Sequence, residues 1–96
     1  MTPAHFLVRT SPHYERLAGR LRKRQPKFDA AHQTAVEILG QDPTNRSGSH
    51  DIKKLTNVLR GEGQWRLALG RFRFRYDIYD QDVVLQYCGL RREDTY

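Results

Sequence analysis

An alternation of apolar and polar residues in the second half of the chain most constrains its fold. Apolar side chains occupy every second position from Trp65 to Leu69, and after a break at Gly70 they do so again from Phe72 to Ile78. Successive side chains of a strand point to opposite faces, so the pattern predicts two half-buried strands joined by a tight turn. The face opposite the core should then present four arginines side by side: Arg66, Arg71, Arg73 and Arg75.

The first half of the chain has helical spacing instead. Apolar residues recur at i, i+3, i+4 and i+7 from Tyr14 to Leu21, which predicts an amphipathic helix. Ser11 suits its N-cap, Pro12 its first turn, and Pro26 ends it.

A second helix is predicted from Phe28 to Leu39, ended by Gly40 and followed by a polar loop. Three further short segments have the composition of strands: Phe6–Val8, Ile52–Leu55 and Val83–Cys88. The expected fold class is therefore α+β, with an N-terminal strand and a two-helix hairpin packed on one face of an antiparallel sheet of three or four strands. We expect one domain over residues 1–96.

Length and composition exclude several classes of protein. A chain of 96 residues is too short for a doubly wound nucleotide-binding enzyme or a barrel enzyme. A single cysteine, Cys88, excludes an intramolecular disulfide and a cysteine-based zinc cluster. The four histidines have no metal-ligand spacing, so we expect no metal and no cofactor. With no apolar run long enough to cross a bilayer and no signal peptide, we expect a cytoplasmic protein without a membrane partner.

The charge of the chain points to a polyanionic partner. Lysine and arginine number 17 against 11 acidic residues, a net charge of +6, and arginine predominates among them. The guanidinium group binds phosphate in a bidentate manner, which favours RNA or DNA as the partner, with an acidic protein second. A further cluster of basic residues without an acid runs from Arg16 to Lys27, and contact with ribosomal RNA and simple solvation are both open for it.

Four sequence blocks in this order carry a resemblance to a known family: Asp51–Leu55, Trp65–Gly70, Phe72–Ile78 and Arg91–Tyr96. Together they resemble the RelE/ParE superfamily of toxins from type II toxin–antitoxin systems, over nearly the whole chain. The resemblance implies the RelE-like microbial ribonuclease fold. It also implies a partner antitoxin and one of two activities. RelE-type members are ribosome-dependent endoribonucleases that cut mRNA, whereas ParE-type members poison DNA gyrase.

The resemblance also implies a set of site residues. Arg73 corresponds to the arginine that steadies the scissile phosphate, and Arg66 to a basic residue at the start of the preceding strand. Arg91 corresponds to the arginine that begins the tail, and Tyr96 to the closing tyrosine that stacks on or near the cut nucleotide. Further residues expected to bind RNA are Lys53, Lys54, Arg71, Arg75 and Arg92.

The favoured hypothesis is a metal-independent mRNA endoribonuclease, with the ribosome and mRNA as partners. The ribose 2′-oxygen would attack the adjacent phosphorus and leave a 2′,3′-cyclic phosphate. Arg91 with Tyr96 favours this branch. Ala68 stands where several members have a second basic residue, so the general base stays open among Lys53, Lys54, Arg71 and a histidine. A gyrase inhibitor without nuclease activity and a non-catalytic module that binds nucleic acid or an antitoxin remain the alternatives.

Overall fold

The structure is a computed structural model that describes residues 5–91. Two helices and five strands follow one another along the chain. Their bounds are β1 Leu7–Thr10, α1 Pro12–Arg24, α2 Phe28–Gln41, β2 Ile52–Lys54, β3 Trp65–Leu69, β4 Phe72–Tyr79 and β5 Asp82–Leu90. The fold class is α+β, as predicted.

The predicted start and end of α1 are confirmed. Ser11 is the N-cap, and its side-chain oxygen accepts a hydrogen bond from the backbone N–H of Tyr14 at 3.0 Å. Pro12 occupies the first turn, and the C-cap residue Gln25 directly precedes Pro26. Because Tyr14, Ala18 and Leu21 share one side of the helix, that side is buried against the sheet.

The expected end of α2 at Gly40 is wrong. The helix continues to Gln41, and its C-cap is Asp42. Gly40 has helical geometry and its carbonyl accepts a hydrogen bond from the Phe6 N–H at 2.8 Å. The chain leaves the helix only before Pro43, since proline disfavours helical geometry in the residue before it.

The sheet has five strands in the order β1-β5-β4-β3-β2. Three pairings are antiparallel, but β1 lies parallel to β5 at the sheet edge. The expectation of three or four antiparallel strands, with the N-terminal strand packed on a face, is therefore corrected. β1 makes its strand hydrogen bonds with the first half of β5.

One face of the sheet, which we call the helix face, packs against α1 and α2. Phe28 of α2 contacts two phenylalanines of β4, with ring centroids 5.7 Å from Phe72 and 6.2 Å from Phe74. The Tyr76 hydroxyl donates a buried hydrogen bond of 2.7 Å to the Pro43 carbonyl. The opposite side, which we call the solvent face, carries the polar positions of the alternating pattern. Among residues 5–91, neither helix has the length and apolar character to cross a membrane.

The pairing of β4 with β5 contains a β-bulge. Arg75 lies opposite Tyr87, but the next residue, Tyr76, lies opposite Leu85, so Gln86 has no partner on β4. The extra residue reverses the alternation of β5. Leu85 and Cys88 therefore both point to the core, and Tyr87 lies on the solvent face.

Candidate nucleic-acid interface

Four side chains form a row across the solvent face, which we call the basic row. Lys53 of β2 lies opposite Arg66 of β3, Arg66 opposite Arg75 of β4, and Arg75 opposite Tyr87 of β5. Directly opposed residues have Cβ atoms about 5 Å apart, so three cationic side chains and an aromatic ring lie next to one another. This row combines groups that bind phosphate with a ring able to stack on a base.

Protein groups hold both arginines of the row. Arg66 Nη2 lies 2.9 Å from Asp51 Oδ1, and that carboxylate is 69% exposed, so the pair is screened by solvent. Arg66 Nε is buried and has no hydrogen-bond acceptor among residues 5–91. Arg75 Nε donates to the Gly63 carbonyl at 3.1 Å. A buried donor without an acceptor carries a desolvation cost, so Arg66 Nε, which lacks a hydrogen bond within the described part of the chain, carries that cost in the middle of the row.

Arg73 lies two residues before Arg75 on β4. Its partners on the neighbouring strands are Ala68 of β3 and Gly89 of β5. Its guanidinium Nη1 donates to two backbone carbonyl oxygens, of Gly70 at 2.8 Å and of Phe72 at 2.9 Å. Carbonyl oxygens orient the guanidinium group but do not neutralise its charge. Both neighbours in the sheet are small, so neither places a long side chain of its own beside Arg73.

The prediction that four arginines lie side by side is correct for three of them and wrong for Arg71. This residue belongs to the turn after Gly70, where the alternation of a strand does not apply. Arg71 Nη1 donates to Gln25 Oε1 at 3.1 Å, at the junction of the two helices. A cleft that Arg71 lines there also includes Lys27.

The adjacent lysines Lys53 and Lys54 lie on opposite faces. Lys54 pairs with Trp65 and so faces the helix side of the sheet, with its Nζ 5.5 Å from the centre of the indole ring. Only Lys53 shares a face with Arg66. Residues 52–54 alternate like any strand, so the two lysines do not contribute to one surface.

The tail residues lie largely beyond the described part of the chain. Arg91 follows β5 directly and is exposed, and its backbone N–H donates to the Arg71 carbonyl at 2.8 Å. The end of β5 thus lies beside the β3–β4 turn that also holds Arg73. Arg92 and Tyr96 lie outside the described residues.

Asp77 organises the loop that borders the basic row, a role that the sequence pattern did not reveal. Its carboxylate is fully buried and accepts hydrogen bonds from the backbone N–H groups of Gly61, Gly63 and Gln64 at 2.8, 3.1 and 2.9 Å. A Cβ on Gly63 would lie 2.7 Å from Arg75 Cβ, so the loop backbone packs directly on that arginine. Asp77 thereby fixes the position of the Gly63 carbonyl, which accepts the hydrogen bond from Arg75 Nε.

Three titratable groups with shifted pKa values, Tyr14, His32 and Cys88, lie on the helix side of the sheet, away from the basic row. The Tyr14 hydroxyl is 2.7 Å from His32 Nδ1. Burial raises the pKa of the Tyr14 hydroxyl well above its ordinary value, lowers the pKa of His32, and raises the pKa of the Cys88 thiol to about 12. These groups are suited to packing rather than to nucleophilic chemistry. Among residues 5–91, no group of three histidine, cysteine or acidic side chains is arranged to hold a metal ion.

Comparison with known proteins establishes the fold. The chain resembles one chain of the archaeal RelE–RelB complex from Pyrococcus horikoshii OT3, with a TM-score of 0.64, 18% sequence identity, and coverage of 91% of this chain and 96% of that one. It also resembles a chain of the RelB–RelE antitoxin–toxin complex from Methanococcus jannaschii, with a TM-score of 0.50, 14% identity, and coverage of 90% and 93%. The fold is RelE-like. No family model and no curated protein matches the sequence.

The RelE-like fold places the basic row on a rigid support. Each of its cationic residues lies on a strand, and the strands that carry them are hydrogen-bonded neighbours. Side chains on a sheet keep their spacing when a ligand binds, so the row offers a fixed set of positive charges to a phosphate backbone. Sequence reasoning missed Tyr87, since uninterrupted alternation from Val83 would have placed it in the core.

Proposed function

We propose that this protein is the toxin of a type II toxin–antitoxin system, a ribosome-dependent endoribonuclease that cuts mRNA in the cytoplasm. The observation that carries the proposal is the set of cationic side chains on the solvent face: Lys53, Arg66, Arg73 and Arg75. The similarity of the fold to chains of two RelE–RelB complexes supports it.

In the proposed reaction, the ribose 2′-oxygen attacks the adjacent phosphorus and the bond to the 5′-oxygen breaks. A 2′,3′-cyclic phosphate and a free 5′-hydroxyl result. Arg73 neutralises the charge that develops on the non-bridging oxygens, because its guanidinium is held by carbonyl oxygens and keeps its full charge. Arg91 stabilises the leaving oxygen, and Tyr96 holds the nucleotide.

The position directly opposite Arg73 does not take part in proton transfer. Ala68 lies directly opposite Arg73 and supplies no titratable group. Arginine is almost always protonated, so Arg66 acts as an electrostatic activator of the 2′-oxygen rather than as a base. We therefore infer that orientation of the mRNA on the ribosome supplies much of the rate.

The antitoxin partner follows from the same surface. An acidic or amphipathic segment that folds on binding would neutralise the basic row and cover Arg73. Binding of such a segment and binding of RNA would then exclude each other. This provides inhibition without any change in the toxin fold.

The variant Arg73→Ala tests the proposal in a reconstituted translation reaction. We expect cleavage of the translated mRNA, mapped by primer extension to new 5′ ends, to fall by about 100-fold or more, as for loss of one oxyanion donor. Lys54→Gln is the control, since it removes one positive charge from the helix face and should cleave normally. Undiminished cleavage by Arg73→Ala, or no cleavage by the wild-type protein, would contradict the proposal.

Inhibition of DNA gyrase is the second candidate, favoured by one observation. With Ala68 opposite Arg73, the solvent face has cations to hold a polyanion, and the position directly beside Arg73 on β3 carries no acid or base. A supercoiling assay with purified gyrase separates the two candidates. Gyrase inhibition together with intact mRNA would establish this second function in place of the first.

A further inference from the structure

Tyr87 is the one aromatic residue of the basic row, and its position there comes from the β-bulge at Gln86. Without the extra residue, Tyr87 would share the buried side of Leu85. The bulge instead places it opposite Arg75, on the solvent face and half-buried. Bulges commonly turn a side chain toward a functional surface.

The side chain of Tyr87 extends along the strand towards Gly89 rather than pointing away from the sheet. A Cβ on Gly89 would lie 2.9 Å from Tyr87 Cζ and 3.2 Å from Cε2, so the ring occupies the space that a side chain at Gly89 would fill. Gly89 is buried although it lies on the solvent face. Because Gly89 is the partner of Arg73, the ring extends from the level of Arg75 to the level of Arg73.

Tyr87 also joins two clefts. The first, of about 450 Å³, lies on the solvent face, and its lining includes His13, Arg75 and Gln86. The second, of about 400 Å³, lies along α1, and its lining includes Arg20, Lys23 and Arg24. Tyr87 lines both.

The edge of β5 explains how the clefts meet. β1 pairs only with Asp82–Leu85, and no other strand within residues 5–91 pairs with this edge beyond Leu85. Helix α1 begins at Pro12 and runs beside the remaining part of β5. Tyr87 therefore lies between Arg75, whose cleft also contains the acidic Glu62, and the cationic side of α1.

We propose that Tyr87 is a stacking platform for one base of a single-stranded RNA that passes from the basic row into the α1 cleft. The inference rests on the proposed function, in which the solvent face binds RNA. Cationic residues that follow the backbone, with an aromatic ring between them, are the arrangement that single-stranded nucleic acid requires. The α1 cations then bind the phosphates that follow the stacked base.

Substitution of the ring tests the inference in RNA binding. The probe is a fluorescein-labelled single-stranded 12-nucleotide RNA of mixed sequence, and its Kd is measured by anisotropy with the full chain. We expect Tyr87→Phe to bind within about twofold of the wild type and Tyr87→Leu to bind about tenfold more weakly, as for loss of one stacked base. Tyr79→Leu is the matched control, because Tyr79 lies at the other end of β4 with Arg60 over its ring, 5.0 Å from the centroid.

The outcomes separate this inference from the proposed function. If Tyr87→Leu binds as the wild type does while Arg73→Ala binds weakly, the ring serves another partner and the inference fails alone. If the wild-type protein does not bind the RNA, the inference fails, whereas the proposed function fails only if translated mRNA is not cleaved. If Tyr87→Phe loses as much affinity as Tyr87→Leu, the hydroxyl makes the contact and stacking is wrong.

A second variant provides a readout that a merely structural role would not change. In Tyr87→Trp, an indole takes the place of the ring, and stacking on a base quenches its fluorescence. We expect quenching beyond that of Trp65 in the wild-type protein, with the same concentration dependence as the anisotropy. Binding of the RNA without additional quenching would overturn the inference.

Discussion

At the scale of single residues, the face of the sheet on which a side chain lies decides its role. Lys53 and Lys54 are chemically identical neighbours, yet one lies beside Arg66 and the other over the Trp65 ring. The alternation of β2 already implies that they face opposite ways. The two lysines that the resemblance groups as RNA-binding residues therefore lie on different surfaces, as the alternation alone predicts.

These two lysines give a matched pair of variants. We expect Lys53→Gln to weaken binding of a short single-stranded RNA by about fivefold, since a phosphate contact is lost. Lys54→Gln should leave the affinity unchanged, although the net charge of the protein falls equally. Anisotropy titrations at one fixed salt concentration measure both. Equal weakening in the two variants would show that net charge, rather than the basic row, governs binding.

Arg71 shows where the alternating pattern no longer predicts the position of a side chain. It continues the spacing of Arg73 and Arg75 by sequence, but it precedes the first residue of β4. The turn at Gly70 has a positive φ of 58°, and the chain direction changes there. The spacing gave no sign of where the strand begins, so the hydrogen bond to Gln25 was not predictable.

At the scale of elements, the loop from Gly61 to Gln64 depends on one buried carboxylate. Asp77 accepts three backbone N–H groups from this loop, and its Oδ2 also accepts from Gln86 Nε2 at 3.2 Å. The same residue thus links the loop to the β5 bulge that turns Tyr87 outward. Neither connection has a local sequence signal, because the partners are at least nine residues apart.

Asp77→Ala should lower the free energy of unfolding by about 3 kcal/mol, since it leaves buried backbone donors without an acceptor. Asp77→Asn keeps one carbonyl oxygen and should lose less. Urea denaturation monitored by fluorescence measures both variants. Glu37→Ala, an exposed change on α2, is the control and should stay within about 0.5 kcal/mol of the wild type. Wild-type stability in Asp77→Ala would show that the loop is not held by this carboxylate.

At the scale of the whole molecule, the sheet collects cations from separate segments onto one face. Lys53, Arg66, Arg73 and Arg75 come from three strands, and the α1 cations lie across the β5 edge from them. A net charge of +6 would attract a polyanion from any direction. In the proposed function, the clustering gives the RNA a defined path across the protein.

Salt dependence measures how many of these cations contact phosphate. For single-stranded RNA, the logarithm of the binding constant should fall with the logarithm of salt concentration by about 0.7 per phosphate contact, so four contacts give a slope of about −3. Arg73→Gln should reduce the magnitude of that slope by about 0.7. Anisotropy titrations from low to moderate salt give the slope. A slope near zero would contradict binding through the basic row.

The sequence by itself determined the elements. Ser11 and Pro12 start α1 through local hydrogen bonding and backbone geometry, and the alternation through Phe74 separates core from solvent positions. These signals are local, because caps and strand periodicity depend on residues a few positions apart. They were sufficient for the α+β class and for placing Arg66, Arg73 and Arg75 on one face.

Only the tertiary structure decided how the elements meet. The parallel pairing of β1, the bulge before Tyr87 and the burial of Asp77 all depend on contacts between segments distant in the chain. Strand order and register are chosen by the packing and hydrogen bonding of the whole sheet, and a one-residue shift in register moves a side chain to the other face. For that reason the position of Tyr87 became visible only in the folded protein.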